Sequence, residues 1–185
     1  MTMHPLAQFK YCPKCGSLRF VEHNDKSKHC EDCGFTYYFN PSAATVGLIV
    51  NGREEWLCVR RAKDPAKGTL DLPGGFSDMF ETSEQGVMRE VKEETGLDID
   101  RVEFLFSIPN QYEYSGFLVH TIDMFYRCHV KDAEINPAVY ETAHAADDAG
   151  ELLWLRPEDI RPEDFGLLSI RRGVTQLLTT TPPTV

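Results

Sequence analysis

The sequence has no long hydrophobic run. Its longest apolar stretches, 43–50 and 151–155, fall far short of the ~20 residues that a helical membrane span requires, so no membrane partner is expected. The first ten residues lack a basic start, an apolar middle and a small-residue cleavage site, and the expected location is the cytoplasm. Positive charge is also scarce. Nineteen Lys and Arg stand against 29 Asp and Glu, a net charge of -10, which opposes non-specific binding to nucleic acid or anionic lipid. Any polyphosphate substrate would therefore need cations. Internal repeats and low-complexity segments are absent. What is present is enough apolar material for a core: 42% hydrophobic and 11% aromatic residues in a chain of 185. That composition excludes disorder for most of the chain and fits one ordinary domain with a small appendage.

Cysteine is concentrated rather than plentiful. Cys12, Cys15, Cys30 and Cys33 form two C-x2-C pairs, each followed by glycine. This is the spacing of zinc-binding turns, which bring four thiolates to one tetrahedral ion and lower their pKa so that all bind as anions. Iron in the same ligand set and disulfides are the alternatives, the last disfavoured in a reducing cytoplasm. Four protein ligands close the coordination shell, so the ion is expected to be structural. Few apolar residues lie between the pairs, and the metal would supply the missing stability. Residues 1–40 carry five basic groups (Lys10, Lys14, Arg19, Lys26, Lys28) against four acidic ones (Glu22, Asp25, Glu31, Asp32). Without a basic stripe, a packing or oligomerisation role, a homodimer included, is favoured over nucleic-acid binding. Cys58 and Cys128 fall in apolar runs and read as small buried thiols.

After Asn40-Pro41 the composition turns apolar and β-branched, which divides the chain into a zinc ribbon over 1–40 and a second domain over 41–185. Strands are predicted at 44–50 and 55–60, joined as a hairpin by Asn51-Gly52. A polar loop over 61–71 follows, then strands at 102–107, 117–130 and 151–155 and a closing helix at 165–179. The last residues, from Thr180, read as a frayed tail. Thr82 and Gln85 read as a capping box that opens a helix over 82–95, with Gly96 just past its end.

The chemistry is concentrated on that helix. Glu90, Glu93 and Glu94 stand at i, i+3 and i+4 and share one arc, with Val87, Met88 and Val91 on the neighbouring arc. Like charges so spaced destabilise a helix by about 0.2–0.5 kcal/mol per pair. Converging carboxylates beside an apolar face therefore call for a cation, and hard oxygen ligands select magnesium or manganese.

Residues 75–97 read Gly75, Glu81, Arg89-Glu90-Val91, Glu93-Glu94, Gly96-Leu97. This resembles, at every specified position, the Nudix box G-x5-E-x7-R-E-U-x-E-E-x-G-U, in which U is aliphatic. The resemblance implies a Nudix α/β/α sandwich with a mixed β-sheet, preceded by the ribbon. It also implies divalent cations that bridge a substrate diphosphate while water attacks phosphorus. By the same resemblance Glu90 and Glu94 are the main metal ligands, and Glu93 is a further ligand or a positioner of water. The carbonyl of Gly74 completes the shell, and Glu81 binds an additional cation or pairs with Arg89, an orienting residue. The resemblance leaves the general base inside or outside the box, and outside it Glu151 is the first candidate and Asp148 the second. Arg60, Arg61, Lys63 and Lys67 are candidates to meet substrate phosphates.

A four-cysteine ribbon before such a domain is similar to the NADH pyrophosphatase branch, whose box is followed by S-Q-P-W-P-F-P-x-S. Residues 107–115 read S-I-P-N-Q-Y-E-Y-S. Ser107, Pro109, Tyr112 and Ser115 keep the pattern, while Asn110 and Gln111 replace rigid apolar residues and imply a wetter pocket. Ser107, Tyr112 and Tyr114 are the candidate substrate contacts, the tyrosines as ring platforms. A plain turn between two strands is the competing reading of this segment. The implied enzyme is a pyrophosphohydrolase acting on a nucleoside diphosphate linked to another moiety, NADH or NAD first and ADP-ribose second. A non-catalytic nucleotide sensor would be expected to lose box carboxylates, and all are kept. A capped RNA end shares the chemistry, though the acidic balance weakens that reading.

Overall fold

The computed structural model describes residues 4–145 and 149–180. The chain divides into two compact units, 1–41 and 42–185. Among the described residues no helix is long and apolar enough to cross a membrane.

The first unit is a three-stranded antiparallel sheet of β1 (Phe20–Asn24), β2 (Ser27–Cys30) and β3 (Thr36–Tyr38), with β2 in the middle. Its two cysteine turns are built alike. Gly16 N–H donates to the Cys12 carbonyl and Gly34 N–H to the Cys30 carbonyl, which aims both pairs of thiols at one point. Sγ of Cys12 lies 3.7 Å from Sγ of Cys33, and Sγ of Cys15 lies 3.6 Å from Sγ of Cys30. All four sulfurs fall within 4.8 Å of one another. Zinc–sulfur bonds of about 2.3 Å in a tetrahedron give sulfur–sulfur edges of about 3.8 Å, so the donor set fits such an ion. Among the described residues the buried apolar cluster here is Cys12, Phe20 and Cys30, with Cys33 and Phe35 against it.

The second unit opens with β4 (Ser42–Ile49), β5 (Trp56–Arg61), β6 (Leu70–Asp71) and β7 (Gly74–Phe76), followed by α1 (Ser83–Thr95). It continues through β8 (Ile99–Tyr114), β9 (Phe117–Val130), β10 (Ala149–Leu155) and α2 (Leu168–Thr180). A four-stranded mixed sheet runs β7-β4-β9-β8, with β4 and β9 parallel, and a three-stranded sheet runs β10-β5-β6. One apolar cluster joins Val46, Leu48 and Phe125 to Ile170, Val174 and Leu177 of α2. The other joins Ile49, Tyr126 and Cys128 to Val87 and Val91 of α1. Alternate residues of β4 and β9 thus serve opposite faces, and a helix covers each, which is the α/β/α sandwich. Burial pushes the thiols of Cys58 and Cys128 up to about 12.

Two sequence expectations are corrected. The 44–50 and 55–60 segments are strands, but they do not form a hairpin beyond one bridge, Val50 to Trp56. Residues 45–49 are all buried, without alternation, and both edges of β4 are taken, by β7 and β9. The Asn51 side chain instead ties the connecting loop, accepting from Arg53 N–H at 2.8 Å and Glu55 N–H at 3.1 Å. Residues 107–114 are not a turn. They continue β8 antiparallel to β9, and the reversal is at Ser115-Gly116, both at positive φ, as a two-residue hairpin loop requires.

Gly173 lets α2 press on the sheet. A Cβ there would lie 2.3 Å from two atoms of the fully buried Phe125 ring, which has no free volume to enter. Gly173→Ala is expected to destabilise this unit by about 1–3 kcal/mol. Urea denaturation followed by fluorescence of Trp56 and Trp154 measures it, and an unchanged midpoint would refute the close packing.

Candidate active site

Helix α1 presents the carboxylates because both of its ends are fixed. Thr82 accepts from Gln85 N–H, Gln85 Oε1 accepts from Thr82 N–H at 2.8 Å, and Gly96 closes the helix at φ 74. With Val87 and Val91 buried against the sheet, Glu90 and Glu94 turn toward β7 and Glu93 turns outward. The Glu93 side chain is 59% exposed against 16% for Glu90. The three glutamates therefore share an arc, but only Glu90 and Glu94 line the neighbouring cavity.

The backbone of β7 meets them closely. Gly74 N–H donates to Glu94 Oε2 at 3.1 Å. A Cβ on Gly74, at φ 152, would strike the Thr45 carbonyl oxygen at 2.1 Å, and one on Gly75 would lie 2.6 Å from Cδ of Glu90. Burial pushes Glu94 up to about 8, with Asp71 and Glu90 adding to the shift against the Gly74 bond. Burial also raises Glu90, against the pull of Arg89. Two half-buried carboxyl groups, both raised chiefly by desolvation and only Glu90 of the two bonded to Arg89, form a donor set suited to a hard divalent cation.

Arg89 organises the box. Its Nε and Nη2 donate to the two oxygens of Glu81 at 3.1 and 2.8 Å. Its Nη1 donates to Glu90 at 2.9 Å and Glu93 at 3.1 Å, and Nη2 also to the Phe76 carbonyl at 3.0 Å. Glu81, which additionally accepts Asp78 N–H at 2.5 Å, is held below the usual carboxylate range, chiefly by Arg89. Both oxygens of Glu81 are thus spent on protein partners.

The cavity has a volume of about 450 Å³. From Glu90, Glu94 and Gly74-Gly75 it extends past Arg61 and Asp71 to Asn110, Tyr112, Thr121 and Asp123, with Val46, Leu167 and Ile170 as apolar wall. Arg61 donates to Asp71 Oδ2 at 2.5 Å and to the Pro65 carbonyl at 2.7 Å. An adjoining hollow of about 240 Å³ shares Arg61, Asp71, Gly74 and Glu94 and is also lined by Lys63.

Other candidates stand apart. Glu151 is not among the cavity residues, and its carboxylate accepts from Arg60 Nε at 2.9 Å. Asp148 lies outside the described residues. Ser107 is exposed, on the face of β8 opposite to Asn110 and Tyr112, and Tyr114 is exposed near the end of the hairpin. Burial, followed by the charge of Asp123, raises the Tyr112 phenol. Asp71, Thr121 and Asp123 escaped the reading of the sequence. The available signal for Asp123 was an acid inside the apolar run of β9.

A family model described as "NUDIX domain" matches residues 40–177. A protein of Vibrio atlanticus (strain LGP32) named NAD-capped RNA hydrolase NudC is 28% identical over 120 residues, 65% of this chain and 44% of that one. An ADP-ribose pyrophosphatase of Methanocaldococcus jannaschii is 40% identical over 74 residues, 40% of this chain and 43% of the relative. The chain spans about half the length of the curated relatives it matches. Among solved structures, a NUDIX hydrolase from Nitrosomonas europaea superposes with a TM-score of 0.64 at 20% identity, covering 92% of this chain and 90% of that one. A MutT NUDIX hydrolase from Burkholderia pseudomallei gives 0.61 at 22% identity, covering 75% and 99%. At these identities the two structures bear on the fold alone.

Proposed function

The chain belongs to the NUDIX family, and on that footing we propose that it is a cation-dependent pyrophosphohydrolase. Its substrate is a nucleoside diphosphate joined to another group, with NADH or NAD first and ADP-ribose second. The observation that carries this reading is the meeting of Glu90, Glu94 and the Gly74-Gly75 backbone on the wall of a cavity that continues to Tyr112 and Asp123. The names of the two curated relatives support the substrate class. Glu90 and Glu94, with the Gly74 carbonyl, would hold magnesium or manganese, hard ions suited to oxygen ligands. A divalent cation held there would supply positive charge to the diphosphate.

Glu93, the exposed member of the trio, is proposed to position the attacking water. The water oxygen bonds to one phosphorus and gives up a proton to solvent, while the P–O bond on that phosphorus breaks and its electron pair stays on the bridging oxygen, which leaves on the other phosphate. Arg89 spans Glu81, Glu90 and Glu93, and its role is to orient them. Lysine has no planar fork to replace it. Arg89→Lys is therefore expected to lower kcat/KM by about 10–100-fold, with α1 intact by circular dichroism, and wild-type kinetics would remove Arg89 from the machinery.

The four cysteines are proposed to hold a structural zinc. The 5′ end of an RNA that carries such a dinucleotide is a second substrate of the same chemistry, favoured by the NudC relatives. Purified protein with magnesium or manganese should release mononucleotides from NADH, NAD, ADP-ribose or NAD-capped RNA. Absence of mononucleotide from every one of them would overturn the reading.

A further inference from the structure

Asp123 is buried, 5% exposed, yet it lies on the cavity wall. Its Oδ1 accepts from Thr121 Oγ1 at 2.5 Å, and its Oδ2 accepts from Ser169 Oγ at 2.5 Å and from Asn110 Nδ2 at 3.3 Å. These donors are two hydroxyls and an amide, all uncharged. A carboxylate offers about four lone-pair directions, and these donors take three. Tying α2 to the sheet through Ser169 needs no charge, and an ionised group in a buried place carries a desolvation cost that a neutral amide would avoid.

The register fixes its distance from the box. Phe76 of β7 pairs with Ala44, and Ala44 pairs with Asp123. Asp123 therefore stands two strands from the β7 backbone, about 9–10 Å at the usual strand spacing. On β8, Ile108 is the partner of Asp123, and Asn110 and Tyr112 follow toward the hairpin end on the same face, paired with Thr121 and Val119. A diphosphate held against Gly74-Gly75 would carry its next group to this wall. That wall offers an acceptor with negative charge, a carboxamide and a phenol, with Leu167 and Ile170 beside them.

We propose that Asp123, with Asn110 and Tyr112, selects the group beyond the diphosphate, accepting an uncharged ring that presents hydrogen-bond donors and refusing a further phosphate. The donors are sugar hydroxyls or the amino group of a base. This rests on the hydrolase reading above for the placement of the diphosphate. The carboxylate repels phosphate oxygens, and the hydroxyl or amino donor completes its fourth lone-pair direction.

The test is equilibrium binding, with magnesium, of the α,β-methylene analogues of ADP-ribose and ATP to the full-length protein. The wild type should favour the ADP-ribose analogue at least tenfold, and Asp123→Asn should cut that preference by about tenfold or more, the scale of one hydrogen bond to a charged group. Replacing adenine by hypoxanthine separates the sources: loss of affinity assigns the donor to the base, retention to the sugar. If Asp123→Asn does not fold, Asn110→Ala serves for the same comparison. A wild type without preference, or a variant that weakens both analogues equally, would overturn the inference and leave Asp123 a clamp for α2. Assay of the same preparation on NADH, NAD, ADP-ribose and NAD-capped RNA reports separately on the hydrolase reading, which fails if preference is found without mononucleotide release from any of them.

Discussion

Glu94→Gln is expected to lower kcat by about a thousandfold. A cation on phosphoryl oxygens contributes several kcal/mol of charge stabilisation in the transition state, and each 1.4 kcal/mol is a factor of ten. Glu94 is half-buried and fixed by Gly74 N–H, so a neutral amide would keep the shape and lose the charge. The same substitution should leave the fold intact, and in magnesium-free buffer its effect on stability has a definite sign. Folding raises the Glu94 carboxyl from 4.5 to about 8, so the native state binds the extra proton. Its stabilising contribution is present below the unfolded value and is lost as pH rises toward 8. The melting temperature of the wild type should therefore fall between pH 5 and 8 more than that of Glu94→Gln. Near wild-type turnover, or parallel pH profiles, would remove Glu94 from the cation site.

Loss of metal from the cysteines should unfold the first unit alone. Its apolar cluster consists largely of the thiols themselves with Phe20 and Phe35, too little to offset the conformational entropy of some thirty ordered residues at roughly 1–2 kcal/mol each. Elemental analysis should find near-stoichiometric zinc. Cys30→Ser, or a chelator, should abolish amide protection over 8–40 in hydrogen exchange. Both tryptophans, Trp56 and Trp154, lie in the second unit, so their fluorescence should keep its midpoint. Absence of zinc and iron, or protection that survives the substitution, would dispose of the metal.

Much of this was legible because the signals are local. The Thr82–Gln85 box and Gly96 mark their own helix ends, and the spacing of Glu90 and Glu94 determines a shared face whatever the tertiary structure. Strand partnership is not local. Asn51-Gly52 reads as a hairpin turn, but two apolar strands each found other edges. The β8 extension was hidden because Pro109 and a run of polar residues suggest a turn, while a ladder to β9 supplies the pairing that propensity does not. Glu151 follows the same rule from the other side. Its neighbour in sequence says nothing of Arg60, which reaches it only across the β10–β5 ladder. Asp123 acquires its meaning only when Thr121, Asn110 and Ser169, from three elements, surround it.

The contact between Gly75 and Glu90 also constrains how this sequence can drift. The space a side chain would need at 75 is already filled by the carboxylate at 90, with both oxygens 2.7 Å from the would-be Cβ. Each position is therefore the other's permissive background. Alanine at 75 is tolerable only where 90 has shortened or swung away, and a lineage that takes either step first passes through an intermediate with a displaced carboxylate. The pair behaves as one inherited unit, written in two places fifteen residues apart.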